Sequence, residues 1–324
     1  MAAKRHALLG ALLASVFPAS LVESAAPPAP AVAEEPVLRV VILGSGTPVP
    51  SRTQAGTAIL VQAGGDTLLF DCGRGCTTRL AQVDPALLPK IDRLFVTHLH
   101  SDHVVGIPDL WLNGWMQGRA GPLRVWGPKG SDAMMAGLRR AFAADIGYRR
   151  ADGIPANDAG IAPAVSVVRR DGVVYRSSDL QVTAFAVKHG DVPAFGYRID
   201  KGAHSVLISG DTAATPALAR YGQGVDVALV EVASPPMAAY VRRSFSAEQA
   251  KKILDLHLSA EEAGDALAAM RPGLAVYYHS VTGEAADAAL LAATRRRYAG
   301  RMEVGRDLMA IEVHADRVVV DPVD

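Results

Sequence analysis

From Val37 to the C-terminus, short apolar runs rich in β-branched residues alternate with segments of helical period. The runs predict strands over 38–43, 57–62, 67–70, 93–97, 123–126, 180–187, 195–199, 205–209, 225–230, 274–278 and 308–313. The helical segments fall at 76–82, 104–116, 131–144, 246–254, 260–270 and 285–298. Two of them carry start signals. Ser246 precedes Ala-Glu-Gln, and Ser259 stands three residues before Glu262, the spacing of a capping box. This alternation predicts an α/β fold in which helices cover sheets. Residues 145–163 have no period and are rich in Gly, Pro and Asp, so they read as a surface loop.

Composition adds size and compartment. Half of the 324 residues are apolar, enough for a large core. Lys4 and Arg5 precede an apolar run over 7–17, and small residues follow at 24–26. That is the layout of a secretory signal peptide, here 1–26, and its apolar run is too short to span a bilayer. Residues 27–36 read as a Pro/Ala-rich linker, leaving one domain over 37–324. The expected location is periplasmic or secreted, with no membrane span in the mature protein. Lys and Arg total 33 and Asp and Glu total 33, so the global basic signature of a nucleic-acid binder is missing. An oxidising compartment permits a bridge between Cys72 and Cys76. The spacing instead favours Cys72 as a buried small residue with Cys76 unbridged on the next helix.

The histidines carry the chemistry. "THLHSDH" (97–103) places His98, His100, Asp102 and His103 just after a predicted strand, and side chains two apart on an extended chain point the same way. His189, Asp211, Glu231 and His279 each end a later strand. Groups delivered by separate strand ends share one pocket in α/β architectures. Imidazole and carboxylate are ligands for zinc, iron or manganese, and seven suffice for two divalent ions. His204 and His314 read as ordinary surface or core histidines. Trp111 and Trp115, four apart on one helix face, fit either a pocket wall or core packing.

This pattern resembles the metallo-β-lactamase superfamily. "LGSGTPVP" (43–50), "LLFDCGRG" (68–75), "THLHSDHVVGIPDL" (97–110), "KHGDVPAFGYRI" (188–199), "LISGDT" (207–212) and "YYHS" (277–280) match its motifs in order. The resemblance implies an αββα four-layer sandwich with a dinuclear centre. His98, His100 and His189 would hold the first metal, and Asp102, His103 and His279 the second. Asp211 would bridge them and Asp71 would orient a ligand. The "GYRI" and "SGDT" stretches and the later His-Leu-Ser resemble the ribonuclease Z branch, whose members are often dimers, so a homodimer is allowed. In that branch a Glu–His pair lies beside the metals, and Glu231 and His257 keep it here.

The expected reaction is hydrolysis of an ester by a metal-bridging hydroxide, with Asp102 in the metal centre and His257, oriented by Glu231, as general acid. Three features point away from tRNA. The loop "PVPSRTQAG" replaces the Pro-x-Lys-x-Arg-Asn pattern of tRNA processors, no long Gly/Pro/Lys-rich arm is present, and the leader removes the chain from where tRNA is made. The expectation is therefore an exported hydrolase of small sulfate or phosphate esters, arylsulfatase-like, for which a nucleic-acid partner is disfavoured. Ribonuclease Z activity is the alternative, followed by a lactonase or β-lactamase and by a catalytically inactive binding protein.

Overall fold

The computed structural model describes residues 35–155, 157–281 and 283–321. The leader expected over 1–26 lies outside them, as does all but the end of the linker expected over 27–36.

The first six strands are β1 (Leu38–Gly44), β2 (Ala58–Ala63), β3 (Asp66–Phe70), β4 (Arg93–Phe95), β5 (Arg124–Gly127) and β6 (Ala164–Val167). A second sheet follows from β7 (Gly172–Ser177), β8 (Leu180–Ala186), β9 (Phe195–Lys201), β10 (His204–Ile208), β11 (Val227–Glu231), β12 (Leu274–Tyr278) and β13 (Met302–Val304). The chain then returns through β14 (Ala310–Val313) and β15 (Val318–Asp321) to complete an eight-stranded sheet, β15-β14-β1-β2-β3-β4-β5-β6. The seven-stranded sheet runs β13-β12-β11-β10-β9-β8-β7.

Alternation along the central strands builds the layers. Val40 and Ile42 of β1 face the second sheet, together with Phe70, Phe95, Tyr197, Ile208, Leu229 and Val276. Val41 and Leu43 face outward onto α1 (Cys76–Val83), α2 (Ser101–Val104), α3 (Ile107–Met116), α4 (Ser131–Ala141) and α5 (Ala143–Ala151) or the turns between them. On the far side, Leu207, Val230 and Tyr277 face α6 (Pro216–Gly222), α9 (Ala260–Met270) and α10 (Glu284–Arg295). The remaining helices, α7 (Pro235–Ser244) and α8 (Ala247–Leu254), form a hairpin with a small apolar seam of Met237, Val241 and Ala250. Strands buried on both faces explain the near-continuous apolar runs. Each fully buried Leu, Ile or Phe stabilises the sandwich by ~1.5–3 kcal/mol. The αββα arrangement expected from the motifs is the one observed.

The two sheets are tied at the centre. Phe70 and Phe95 stack with ring centroids 4.9 Å apart, and Tyr197 of the opposite sheet lies against both. Its buried hydroxyl donates to the Val96 carbonyl at 2.8 Å.

Several local expectations are corrected. The loop expected over 145–163 begins with α5, which buries only Ile146, so its sequence has almost no apolar stripe to read. The helix expected over 104–116 starts three residues earlier, as α2, and restarts at α3 after Gly106, with Pro108 in the first turn. Cys72 and Cys76 are bridged, with Cα atoms 5.3 Å apart. The turn after β3 folds back sharply at Asp71 (φ 55°), which brings the two sulfurs together. Trp111 and Trp115 are core residues whose indole N–H groups donate to the carbonyls of Ile161 and Asn157.

Candidate metal centre

The site lies at the ends of β3, β4, β8, β10, β11 and β12, where strand order places loops from both sheets side by side. The "THLHSDH" segment leaves β4 extended, with His100 at φ −65° and ψ 148°, and then enters α2. His98 and His100 therefore project together, while Asp102 and His103 come from the first helical turn. The turn behind them is packed backbone to backbone. A Cβ on Gly73 would sit 1.9 Å from the Asp102 carbonyl oxygen, so only glycine fits there. Cys72 donates its N–H to the His103 carbonyl at 2.8 Å and accepts from the Gly106 N–H at 2.9 Å. His279 adopts φ 51°, left-handed for a non-glycine residue, and is held by the Ser280 N–H to Ser45 carbonyl bond.

The seven residues expected as ligands converge. His100 Nδ1 lies 3.0 Å from His98 Nε2 and 3.1 Å from His189 Nε2. Beside them, Asp102 Oδ2 is 3.0 Å from His279 Nε2 and 3.6 Å from His103 Nε2. Asp211 Oδ2 lies between the groups, 3.8 Å from His98, 3.4 Å from His103 and 3.3 Å from His279. The overlapping trios His98–His100–His189, His98–His103–Asp211 and Asp102–His103–His279 each have the spacing of a metal site.

Hydrogen bonds behind the rings aim the lone pairs. Asp71 accepts from the Thr97 N–H at 2.7 Å, the Thr97 hydroxyl at 2.8 Å and His103 Nδ1 at 2.8 Å. With its hydrogen given to Asp71, the Thr97 oxygen accepts from His98 Nδ1 at 3.0 Å. His189 Nδ1 donates to the Leu256 carbonyl at 3.1 Å. In all three rings the Nε2 lone pair is left facing the centre, the usual arrangement of a ligating histidine.

The electrostatics ask for a cation. Burial lowers the affinity of His98, His100 and His189 for a proton, which favours neutral imidazole, the ligating form. Burial also opposes charge on Asp211 and on His103. The imidazoles of His279 and His103 nevertheless hold Asp211 well below the carboxylate range, and Asp211 with Asp71 raises His103 well above its usual value. His103 Nε2 and Asp211 Oδ1 are buried without a hydrogen-bond partner. A proton on His103 thus stands where a divalent cation would neutralise the same carboxylates, and the donor set fits such an ion.

Glu231 and His257 lie alongside. Glu231 is fully buried and accepts from the backbone N–H groups of Thr212 (3.1 Å) and Leu258 (3.0 Å) and from His257 Nδ1 (3.2 Å). Burial of His257 is outweighed by the Glu231 carboxylate, which lifts the imidazole to about 9. The His257 ring is 5.3 Å from that of His189 and 5.6 Å from that of His279. The centre opens into a cavity of about 430 Å³ walled by the 47–50 loop and the α7–α8 hairpin. The hairpin wall was not identified from the sequence, because its residues reach the site only through the folding of α7 against α8.

Comparison with known proteins gives the family. Residues 66–280 match the family described as a beta-lactamase superfamily domain. The chain is 32% identical to "Ribonuclease Z" of Mycobacterium marinum over 288 residues, 86% of this chain and 100% of the relative. Among solved structures it resembles the metallo-beta-lactamase fold protein YhfI from Bacillus subtilis, with a TM-score of 0.65, 18% identity and coverage of 84% of this chain and 98% of that one. It also resembles the short form of human tRNase Z, with a TM-score of 0.63, 19% identity and coverage of 85% and 99%. At those identities the two structures bear on the fold alone.

The end-to-end likeness to ribonuclease Z overturns two expectations: a small sulfate or phosphate ester as substrate, and a chain unsuited to nucleic acid. Both rested on peripheral loops, on net charge and on the leader-like residues 1–26. Net charge sums the whole chain and misses local cations such as Lys188 and Arg242, which share a hollow with His257. The chain belongs to the beta-lactamase superfamily and, within it, to the ribonuclease Z family.

Proposed function

We propose that the chain is a metal-dependent RNA phosphodiesterase of ribonuclease Z type, cutting precursor tRNA at its 3′ side. The carrying observation is the Glu231–His257 pair set beside seven converging ligands in a chain that matches a ribonuclease Z over the relative's whole length.

When bound, two divalent cations, with zinc the first candidate and manganese or iron also suited to these donors, supply Lewis acidity and a nucleophile near neutral pH. His98, His100 and His189 would hold one, Asp102, His103 and His279 the other, with Asp211 shared. Asp71 keeps Nε2 of His103 aimed inward. His257 donates a proton to the departing ribose oxygen, and Glu231 fixes its ring and keeps it protonated. The loop 47–50 and the α7–α8 hairpin narrow the approach and exclude water around the reacting phosphate.

Export is proposed separately: an exported chain would meet RNA outside the compartment where tRNA is made, and precursor tRNA then serves as the test substrate for its chemistry. The leader-like residues 1–26 and the Cys72–Cys76 bridge both suit an oxidising compartment.

The test is cleavage of a precursor tRNA by the metal-loaded protein. His257→Ala should lower the rate by ~10²–10⁴-fold while metal content stays constant. An intact precursor after prolonged incubation with the two-metal wild-type protein would reject the reading.

A further inference from the structure

The α7–α8 hairpin shows two unlike faces on either side of His257. One wall of the active cavity carries Tyr240 and Phe245, which are 38% and 43% exposed and so stand among the few large apolar side chains left open. Met237, Val241 and Val49 line the same cavity. Beyond His257 is a second hollow of about 460 Å³ with Lys188 and Arg242 on its rim. Both cations are exposed and have no ion-pair partner among the described residues. The carboxylates on that rim are already engaged, Asp255 with Lys251 and Glu262 with the N–H and hydroxyl of Ser259.

Flat rings on one side of the general acid and free cations on the other fit a nucleotide chain. Bases stack on aromatic side chains whatever their identity, while cations track the phosphates. An aliphatic ester would use the rings and leave the cations idle; a bare polyanion would do the reverse. We infer that Tyr240 and Phe245 form the stacking platform for a base flanking the scissile phosphodiester, and that Lys188 and Arg242 take a neighbouring phosphate. The inference rests on the ribonuclease reading and gives it a grip on RNA where the long basic arm is lacking.

The metal-loaded wild type is compared with Tyr240→Ala/Phe245→Ala and Lys188→Ala/Arg242→Ala, all four sites being exposed enough to truncate without a core cavity. Calorimetric titration with AMP and with ribose 5-phosphate should show the wild type preferring AMP by about tenfold, in line with one stacked base. The aromatic double variant should bind the two alike, Tyr240→Phe should keep the preference, and the cation variant should weaken both ligands equally. Precursor tRNA with an abasic ribose beside the scissile bond should be cut about tenfold more slowly by the wild type, and no more slowly than normal RNA by the aromatic variant. Equal binding of AMP and ribose 5-phosphate by the wild type overturns the platform even if precursor tRNA is cut. Ring-dependent AMP binding without any RNA cleavage upholds the platform and rejects the ribonuclease reading instead.

Discussion

Asp71 shows how much a single carboxylate organises. It accepts three hydrogen bonds, from the Thr97 N–H, the Thr97 hydroxyl and His103 Nδ1, and an amide oxygen cannot replace both of its oxygens. Asp71→Asn should therefore weaken metal binding by ~10–100-fold while leaving the fold intact, measured by competitive titration with a chromogenic chelator. His257 gives a pH signature. Glu231 raises it, so its acid form persists through neutral pH and is lost as pH rises towards about 9. Nearby bound cations oppose that shift, placing the alkaline fall of kcat at or below this value. Glu231→Gln removes the raising charge, and the fall should move to lower pH in a kcat–pH profile; an unmoved profile would exclude His257 as the acid. The residues that converge at the centre were legible, because they follow apolar strand runs or, like Asp102 and His103, the helical turn just beyond one, and the His-x-His-x-Asp-His spacing has few other uses. The pairing of Cys72 with Cys76 was not, since it depends on the backbone turn at Asp71.

Among the elements, the central strands were legible because burial on both faces leaves little but apolar residues. The short edge strands β6, β7 and β15 are only partly buried, and their patterns fade accordingly. Helices α6 and α7 begin with prolines at their first positions, which a scan for helix breakers reads as loop. The bridged turn between β3 and α1 is the element on which the metal loop rests, through the Cys72 bonds to His103 and Gly106. Closing so short a loop restricts the unfolded chain by ~2 kcal/mol. Cys72→Ala/Cys76→Ala should lose about that much stability in denaturant titration, and its metal affinity should fall with it. A variant with unchanged stability would mean that the bridge contributes nothing.

At the scale of the molecule, alternating strands and helices announced sheets covered by helices and the resemblance of the motifs added the sandwich, while substrate choice stayed hidden. The loops and rims that decide it are few residues each, brought together from distant parts of the chain. Net charge was misleading for the same reason: Lys188 and Arg242 are local features of one edge. The export proposal also belongs to the whole chain. Fractionation of the producing cells should recover the protein outside the cytoplasm with its first 26 or so residues removed; a cytoplasmic chain retaining Met1 would count against it.

The centre draws His98, His100, Asp102 and His103 from the eight-stranded sheet, and His189, Asp211 and His279 from the other. A cation held by both sets would act as a clasp between two halves that also meet through apolar contact and a few polar bonds, among them the Tyr197 hydroxyl to Val96, the Phe195 N–H to Thr97 and the Ser280 N–H to Ser45. Metal occupancy then becomes a gauge of how well the halves are docked. Damage far from the ligands, such as a wedge at the Phe70–Phe95–Tyr197 cluster, would first appear as leakage of metal, before any strand or helix is lost.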